Sequence, residues 1–279
     1  MSKEKILALL SILPLCVLFV AFIIVPLAWI VFGSFYVEDE GYSFQNFTTL
    51  LESKFYIQSI VNSLKISLIS SILGLFIGTM ASYSLFVLSP KKISHFLLSL
   101  NTMISNFSGV PLAFAFIIVL GSNGVLNIFL KSVEIEPFIS IYGELGINIV
   151  YVYFQIPLAI LLLFPAFKSL ENSHFESCKM LGGGTSLYWL KIALPLLAPA
   201  LLGVFVILFA NAFGAYATIY ALSSGNFNVL PVRIASLIAG DITLDPYLAS
   251  ALSVILTLIM LLITLIANFI SKKYNFKAF

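Results

Sequence analysis

The sequence predicts an all-α integral membrane protein of six transmembrane helices, with both termini in the cytoplasm. Three observations carry this expectation. The 279 residues are 61% hydrophobic and 9% charged, with a mean hydropathy of +1.10, far from the balance of a soluble domain. The apolar residues fall into six runs, each long enough for a hydrocarbon core of about 30 Å, which needs roughly 20 helical residues. The basic residues are shared unequally between the two sets of connecting loops.

The first run covers about Ile6–Phe35. It exceeds the apolar core of a signal peptide, about 7–15 residues, and no small-residue cleavage site follows it, so a retained helix is expected. The second covers about Ile60–Leu88, the third about Phe96–Leu120 and the fourth about Ile147–Phe167. The last two cover about Leu196–Leu222 and Tyr247–Ile270. Between the first two lies a loop rich in acids and aromatics (Tyr42, Phe44, Phe47, Phe55, Tyr56). The stretches near 121–146 and 223–246 carry Gly, Pro and Asn suited to turns and short interfacial helices. No internal repeat or low-complexity linker divides the chain. A single transmembrane domain over 1–279 is expected, with 1–58 as first helix and outer loop and 59–271 as the core.

Six spans put both termini on one side, and charge says which. Lys3, Lys5, Lys91, Lys92, Lys168, Lys179, Lys191, Lys272, Lys273 and Lys277 fall on the side of the termini. Only Lys54, Lys65, Lys131 and Arg233 fall on the other. Ten against four fixes the termini, and the loop near 169–195, in the cytoplasm. The net charge of +2 is too small and scattered for a nucleic-acid surface. Cys16 and Cys178 show no CxxC or Cys/His spacing, so neither a disulfide nor a metal site is expected.

No Asp or Glu lies within a predicted span, which argues against a carrier driven through a buried carboxylate. Lys65, near the outer end of the second span, can snorkel to the interface. Ser67, Ser71, Gly74, Gly78 and Ser82 form one stripe at steps of three or four. That stripe suits close helix packing or a narrow polar path. Ala210 and Gly214 repeat the spacing in the fifth span. Pro111 and Pro157 lie inside the third and fourth spans and are expected to kink them. Asn211, Tyr216, Thr218 and Tyr220 are candidate path residues that could equally satisfy one another. No catalytic residues are expected: His95 and His174 lack a carboxylate or Cys partner at suitable spacing. There is also no phosphate-binding loop, and Gly182-Gly183-Gly184 reads as a turn.

The loop itself is patterned. Ser173 with Glu176 reads as a capping box, and Gly182 as a helix stop. Thr185–Ile192 gives a second amphipathic helix, and Pro195 and Pro199 open the fifth span. Glu176-Ser177-Cys178, Gly182-Gly183, Trp189, Ile192, Leu194 and Pro195 resemble the EAA loop of permease subunits of binding-protein-dependent ABC importers. There the pattern is Glu-Ala-Ala, three residues, Gly, then an aromatic and an Ile/Val-x-Leu-Pro ending. Ser177 and Cys178 replace the alanines, small for small.

The resemblance covers roughly residues 60–271 and implies the type I importer permease fold. It implies that Glu176, Ser177, Cys178, Gly182, Gly183, Trp189, Leu194 and Pro195 form the coupling region for separate ATP-binding cassette subunits. A second permease subunit, identical or not, and an extracytoplasmic solute-binding protein are the other implied partners. ATP would be bound by the partner, and this chain would hold no cofactor. The Asn106–Phe116 and Ala212–Thr218 segments look most like the spermidine/putrescine-type branch, which has phosphonate, ferric-iron and sulfate relatives.

Overall fold

The computed structural model describes residues 12–38, 41–87, 91–135, 140–170, 172–240 and 244–275. Lys3, Glu4, Lys5, Asp39, Glu40, Glu136, Glu171, Asp241, Lys277 and the start of the first predicted span lie outside these. Among the described residues, six helical segments are long and apolar enough to cross a membrane: Ile12–Ser34, Lys54–Val87, Val110–Ser132, Glu144–Lys168, Thr185–Phe213 and Pro246–Lys272. Shorter helices run over Gln45–Glu52 (α2), Lys91–Ser105 (α4), Asn172–Met180 (α8), Ala217–Ser223 (α10) and Leu230–Ala239 (α11). The chain forms two compact units, Met1–Ser59 with Arg233–Ile259, and Ile60–Val232 with Met260–Phe279.

In the first unit, α1 (Ile12–Ser34) contains a five-residue π turn, Val20–Ile24, where the Val25 amide donates to the Val20 carbonyl. Pro26 follows directly. Proline has no N–H and crowds the carbonyl four residues back, and the wider turn gives that carbonyl room. A small hairpin, β1 (Tyr36–Val37) with β2 (Gly41–Tyr42), pairs Tyr36 with Tyr42. Asn46 donates to the carbonyls of Ser34 and Tyr36 at 3.1 and 2.9 Å, satisfying backbone where α1 ends. Arg233 lies over the Phe55 ring at 5.0 Å, and burial lowers its pKa.

In the second unit, the stripe on α3 (Lys54–Val87) packs on α7 (Glu144–Lys168). A Cβ on Gly74 would stand 2.5 Å from the Gln155 Cβ, and one on Gly78 would overlap Ala159. Ser67, Ser71 and Ser82 are buried, and Ser82 donates to the Ile160 carbonyl at 3.4 Å. Close packing, rather than a polar path, is therefore what this stripe does. Lipid offers little hydrophobic drive between helices, so backbone approach through small residues carries the association. The helix α7 runs unbroken through Pro157 and Pro165, so Pro157 does not interrupt it. Lys65 pairs with Glu144 at the first residue of α7, a role the snorkelling expectation missed.

Two of the predicted spans are broken. The third run is not one helix: α4 (Lys91–Ser105) ends, and α5 (Val110–Leu120) starts after Gly109, whose φ is 71°. Pro111 sits in the first turn of α5. There its missing N–H costs nothing; it starts a helix rather than kinking one. The span then continues as α6 (Val125–Ser132). Asn127 donates to the carbonyls of Leu120 and Gly121 at 3.1 and 2.8 Å, closing the intervening turn.

The fifth run also differs from expectation. Its helix ends at Phe213, and a separate α10 (Ala217–Ser223) follows. Tyr151 of α7 donates its hydroxyl to the Ala215 carbonyl at 3.0 Å, pairing backbone freed by this break. The two breaks meet: a Cβ on Gly109 would stand 3.7 Å from the Ala217 Cβ.

Candidate functional site: the loop and the broken helices

The loop helix α8 (Asn172–Met180) holds Ser173 in its first turn and Glu176 one turn further on. Its end follows the glycine signal closely. The Gly183 amide donates to the Cys178 carbonyl and the Gly182 amide to that of Lys179, both at 2.9 Å. This pair of bonds is a Schellman motif, and Gly182 supplies its left-handed residue with φ of 78°. Gly183 is required for a different reason. A Cβ there would stand 2.6 Å from the Cys178 sulfur and 2.9 Å from Leu187 Cδ2.

The rest of the loop divides into an anchored face and a presented tip. Cys178 and Tyr188 are buried in one cluster with Phe167, Leu170, Ala193 and Leu197. Trp189 meets the ring of Tyr83 edge-on, 4.9 Å between centroids, tying the loop to α3. Glu176 and Ser177 are exposed. Met180 and Leu181 are 89% exposed at the tip, apolar residues with nothing among the described residues to cover them. Tyr188, Met180 and Leu181 were not singled out from sequence. Their apolar character is unremarkable in such a chain, and only the turn at Gly182 sorts buried from presented.

The second loop helix is not a separate piece. Residues Thr185–Phe213 form one continuous helix, α9, through a π turn at Trp189–Ala193 in which the Leu194 amide donates to the Trp189 carbonyl. Pro195 follows, in the arrangement seen around Pro26, and the same crowding of the carbonyl four residues back explains it. Leu194 and Pro195 thus lie in a continuous helical rod that joins the loop to the membrane span.

The candidate path residues separate in space. Tyr216 and Tyr220 are exposed with ring centroids 5.1 Å apart, beside the break at Gly214. Asn106, Phe107 and Ser108 are exposed at the other break. Asn211 is exposed one turn before Gly214, and its amide reaches the Gln155 side-chain oxygen at 3.4 Å. Thr218 is buried and does not join them, because α10 turns that face to the core that holds Ile219 and Leu222. Gln155 was missed. It is fully buried, and donates to the Leu208 carbonyl at 2.6 Å and to the Ser71 hydroxyl at 3.4 Å. A Gln among apolar residues of a predicted span was the signal that could have found it.

The family model for binding-protein-dependent transport system inner membrane components matches residues 70–277. The spermidine/putrescine transport system permease protein PotB of Haemophilus influenzae is 27% identical over 203 residues, 70% of each chain. The thiamine transport system permease protein ThiP of Brucella abortus is 32% identical over 127 residues, 44% of this chain and 23% of that one. A chain from the crystal structure of a bacterial ABC transporter involved in importing the acidic polysaccharide alginate superposes with a TM-score of 0.78. The overlap covers 97% of this chain and 96% of that one at 20% identity, a likeness of fold.

Proposed function

Because this chain belongs to the family of binding-protein-dependent transport system inner membrane components, we propose that its 172–193 loop is where a separate ATP-binding subunit drives import. The chain is a multi-pass membrane permease of the ABC importer class. The observation that carries the finer reading is the exposed Met180–Leu181 tip on a Schellman turn, joined to the fifth span by one helix. An apolar tip of this kind suits a cleft on a partner, and charge asymmetry supports a cytoplasmic position for it. Closure of paired ATPase subunits would pull the tips together and tilt α9 of each permease subunit. Glu176, exposed on the same helix, would orient against the partner. Met180 and Leu181 join it in that role.

Solute would pass the meeting point of the two breaks, with Tyr216 and Tyr220 from one break and Asn106 and Ser108 from the other as its proposed lining. Asn211, one turn away, extends this lining. A polyamine of the spermidine/putrescine class is the proposed solute, on the likeness to PotB and on the aromatic faces, which attract cations. The delivering partner would be a solute-binding protein on the opposite side from the loop.

The test is uptake into proteoliposomes holding this permease, its sister subunit, the ATPase and the binding protein. ATP-dependent spermidine uptake that falls in Glu176→Ala and in Met180→Asp, with the complex intact, is the expected result. Uptake driven by an ion gradient without the ATPase would instead identify a secondary carrier. Binding of thiamine, phosphonate, ferric iron or sulfate, but no polyamine, by the binding protein would replace the solute and leave the permease reading standing.

A further inference from the structure

The first unit contains a cavity that the importer reading does not use. Its volume is about 190 Å³, and its walls are Trp29, Phe32, Gly33, Tyr36, Tyr42 and Tyr247. Five of these six are aromatic. On this measure one water needs about 10–15 Å³, so the space admits a group of a few heavy atoms.

The fold places each wall for a local reason. Trp29, Phe32 and Gly33 share one face of α1 at spacings of three and four. The hairpin register sets Tyr36 opposite Tyr42, with ring centroids 5.7 Å apart at 79°. Tyr247, in the first turn of α12 (Pro246–Asn275), meets Tyr36 at 4.8 Å and 54°. Gly33 lets this helix approach: a Cβ there would already stand 3.3 Å from the Ser250 hydroxyl. The three tyrosine rings are mutually inclined, so they offer π faces and hydroxyls from several directions instead of one stack.

Electrostatics select the occupant. An adjoining cavity shares Tyr36 and Tyr247 and is also lined by Glu38, Asn46 and Asp245. Among the described residues, no Lys or Arg lines either space. One Asp245 oxygen accepts from the Leu248 amide at the start of α12, so that carboxylate is fixed in place. An anion would meet the negative faces of the rings, with two carboxylates in the adjoining space. A cation meets attraction from both.

We propose that the cavity walled by Trp29, Phe32, Tyr36, Tyr42 and Tyr247 binds an alkylammonium group, carried either by a lipid headgroup or by a soluble amine. Tryptophan and tyrosine at a membrane interface commonly contact headgroups; here Trp29, Phe32 and Tyr42 keep most of their surface exposed and line an open groove. The site is built from residues other than those of the proposed transport path, and its test does not depend on transport.

The chain has two tryptophans, Trp29 and Trp189. In a full-length Trp189→Phe variant, Trp29 alone reports on the cavity. That variant in phosphatidylglycerol nanodiscs, a headgroup without ammonium, is titrated with choline and with butylammonium at high salt. A saturable change in Trp29 emission is expected. It should weaken about tenfold or more in Tyr36→Leu and Tyr247→Leu, and persist in Tyr36→Phe and Tyr247→Phe, which keep the ring. Glu38→Gln, at an exposed position, should weaken it without unfolding the hairpin. If discs containing phosphatidylethanolamine show the changed emission without added amine and block the titration, the headgroup is the source. If they do not, the soluble amine is. An unresponsive Trp29 with both amines and the lipid overturns the proposal. So does a response undiminished in the leucine variants, or an equal response to choline's uncharged carbon isostere.

Discussion

Gly183 donates its amide to the Cys178 carbonyl at 2.9 Å, and a Cβ on Gly183 would stand 2.6 Å from the Cys178 sulfur. The same pair therefore closes the turn and forbids a larger residue in it. Gly182 beside it is needed for backbone sign, with open space around it.

The two glycines should fail differently. Gly182→Ala forces a left-handed alanine, costing about 1–2 kcal/mol. Gly183→Ala overpacks the turn, costing about 1–3 kcal/mol, and Cys178→Ala should recover part of that loss by removing the sulfur. Thermal unfolding of the purified protein measures both. A Gly183→Ala protein as stable as the parent, or no recovery in the double variant, would refute the packing account.

Met180→Ser and Leu181→Ser should leave the melting temperature within about 0.5 kcal/mol equivalent of the parent, because neither residue is buried. Both should lower ATPase binding and ATP-driven uptake. Pull-down with the ATPase subunit checks this, and full binding by the double variant would remove the tip from the coupling surface.

Tyr151→Phe removes the donor to the Ala215 carbonyl without changing the ring's volume. The carbonyl lies where a membrane helix breaks, so losing its partner should cost about 1–3 kcal/mol. Reduced thermal stability with unaltered helical circular dichroism is the expected outcome; an unchanged melting temperature would mean the break is satisfied otherwise.

Gly78→Ala and Gly203→Ala make a matched pair. The first places a Cβ on Ala159 and should destabilise by about 1–3 kcal/mol. Ala159→Gly should restore it. The second has open space within its helix and should stabilise by about 0.5–1 kcal/mol. Opposite signs in thermal unfolding are the discriminating readout.

Lipid-spanning sequence is legible in quantity and poor in direction. Six apolar runs announced six spans, and the Gly182 stop announced the loop's turn, because length and φ are local requirements. The stripe from Ser67 to Ser82 was visible as a pattern, but its role was not. Only Gln155 and Ala159 opposite Gly74 and Gly78 resolve it as packing. The breaks at Asn106–Gly109 and Gly214–Tyr216 lay inside apolar runs whose hydropathy hardly changes across them.

What the sequence determined alone was membrane residence, the number of spans and the loop whose pattern carries the family likeness. Tertiary structure decided where helices break, that the loop's second helix and the fifth span are one rod, and that Thr218 is buried while Tyr216 and Tyr220 are presented. The reason is the solvent. In lipid, core-facing and lipid-facing residues are both apolar, so hydrophobic periodicity does not distinguish inside from outside. Polar side chains such as Tyr151, Gln155 and Asn127 do mark the interior. Their meaning depends on distant carbonyls that only folding brings within reach.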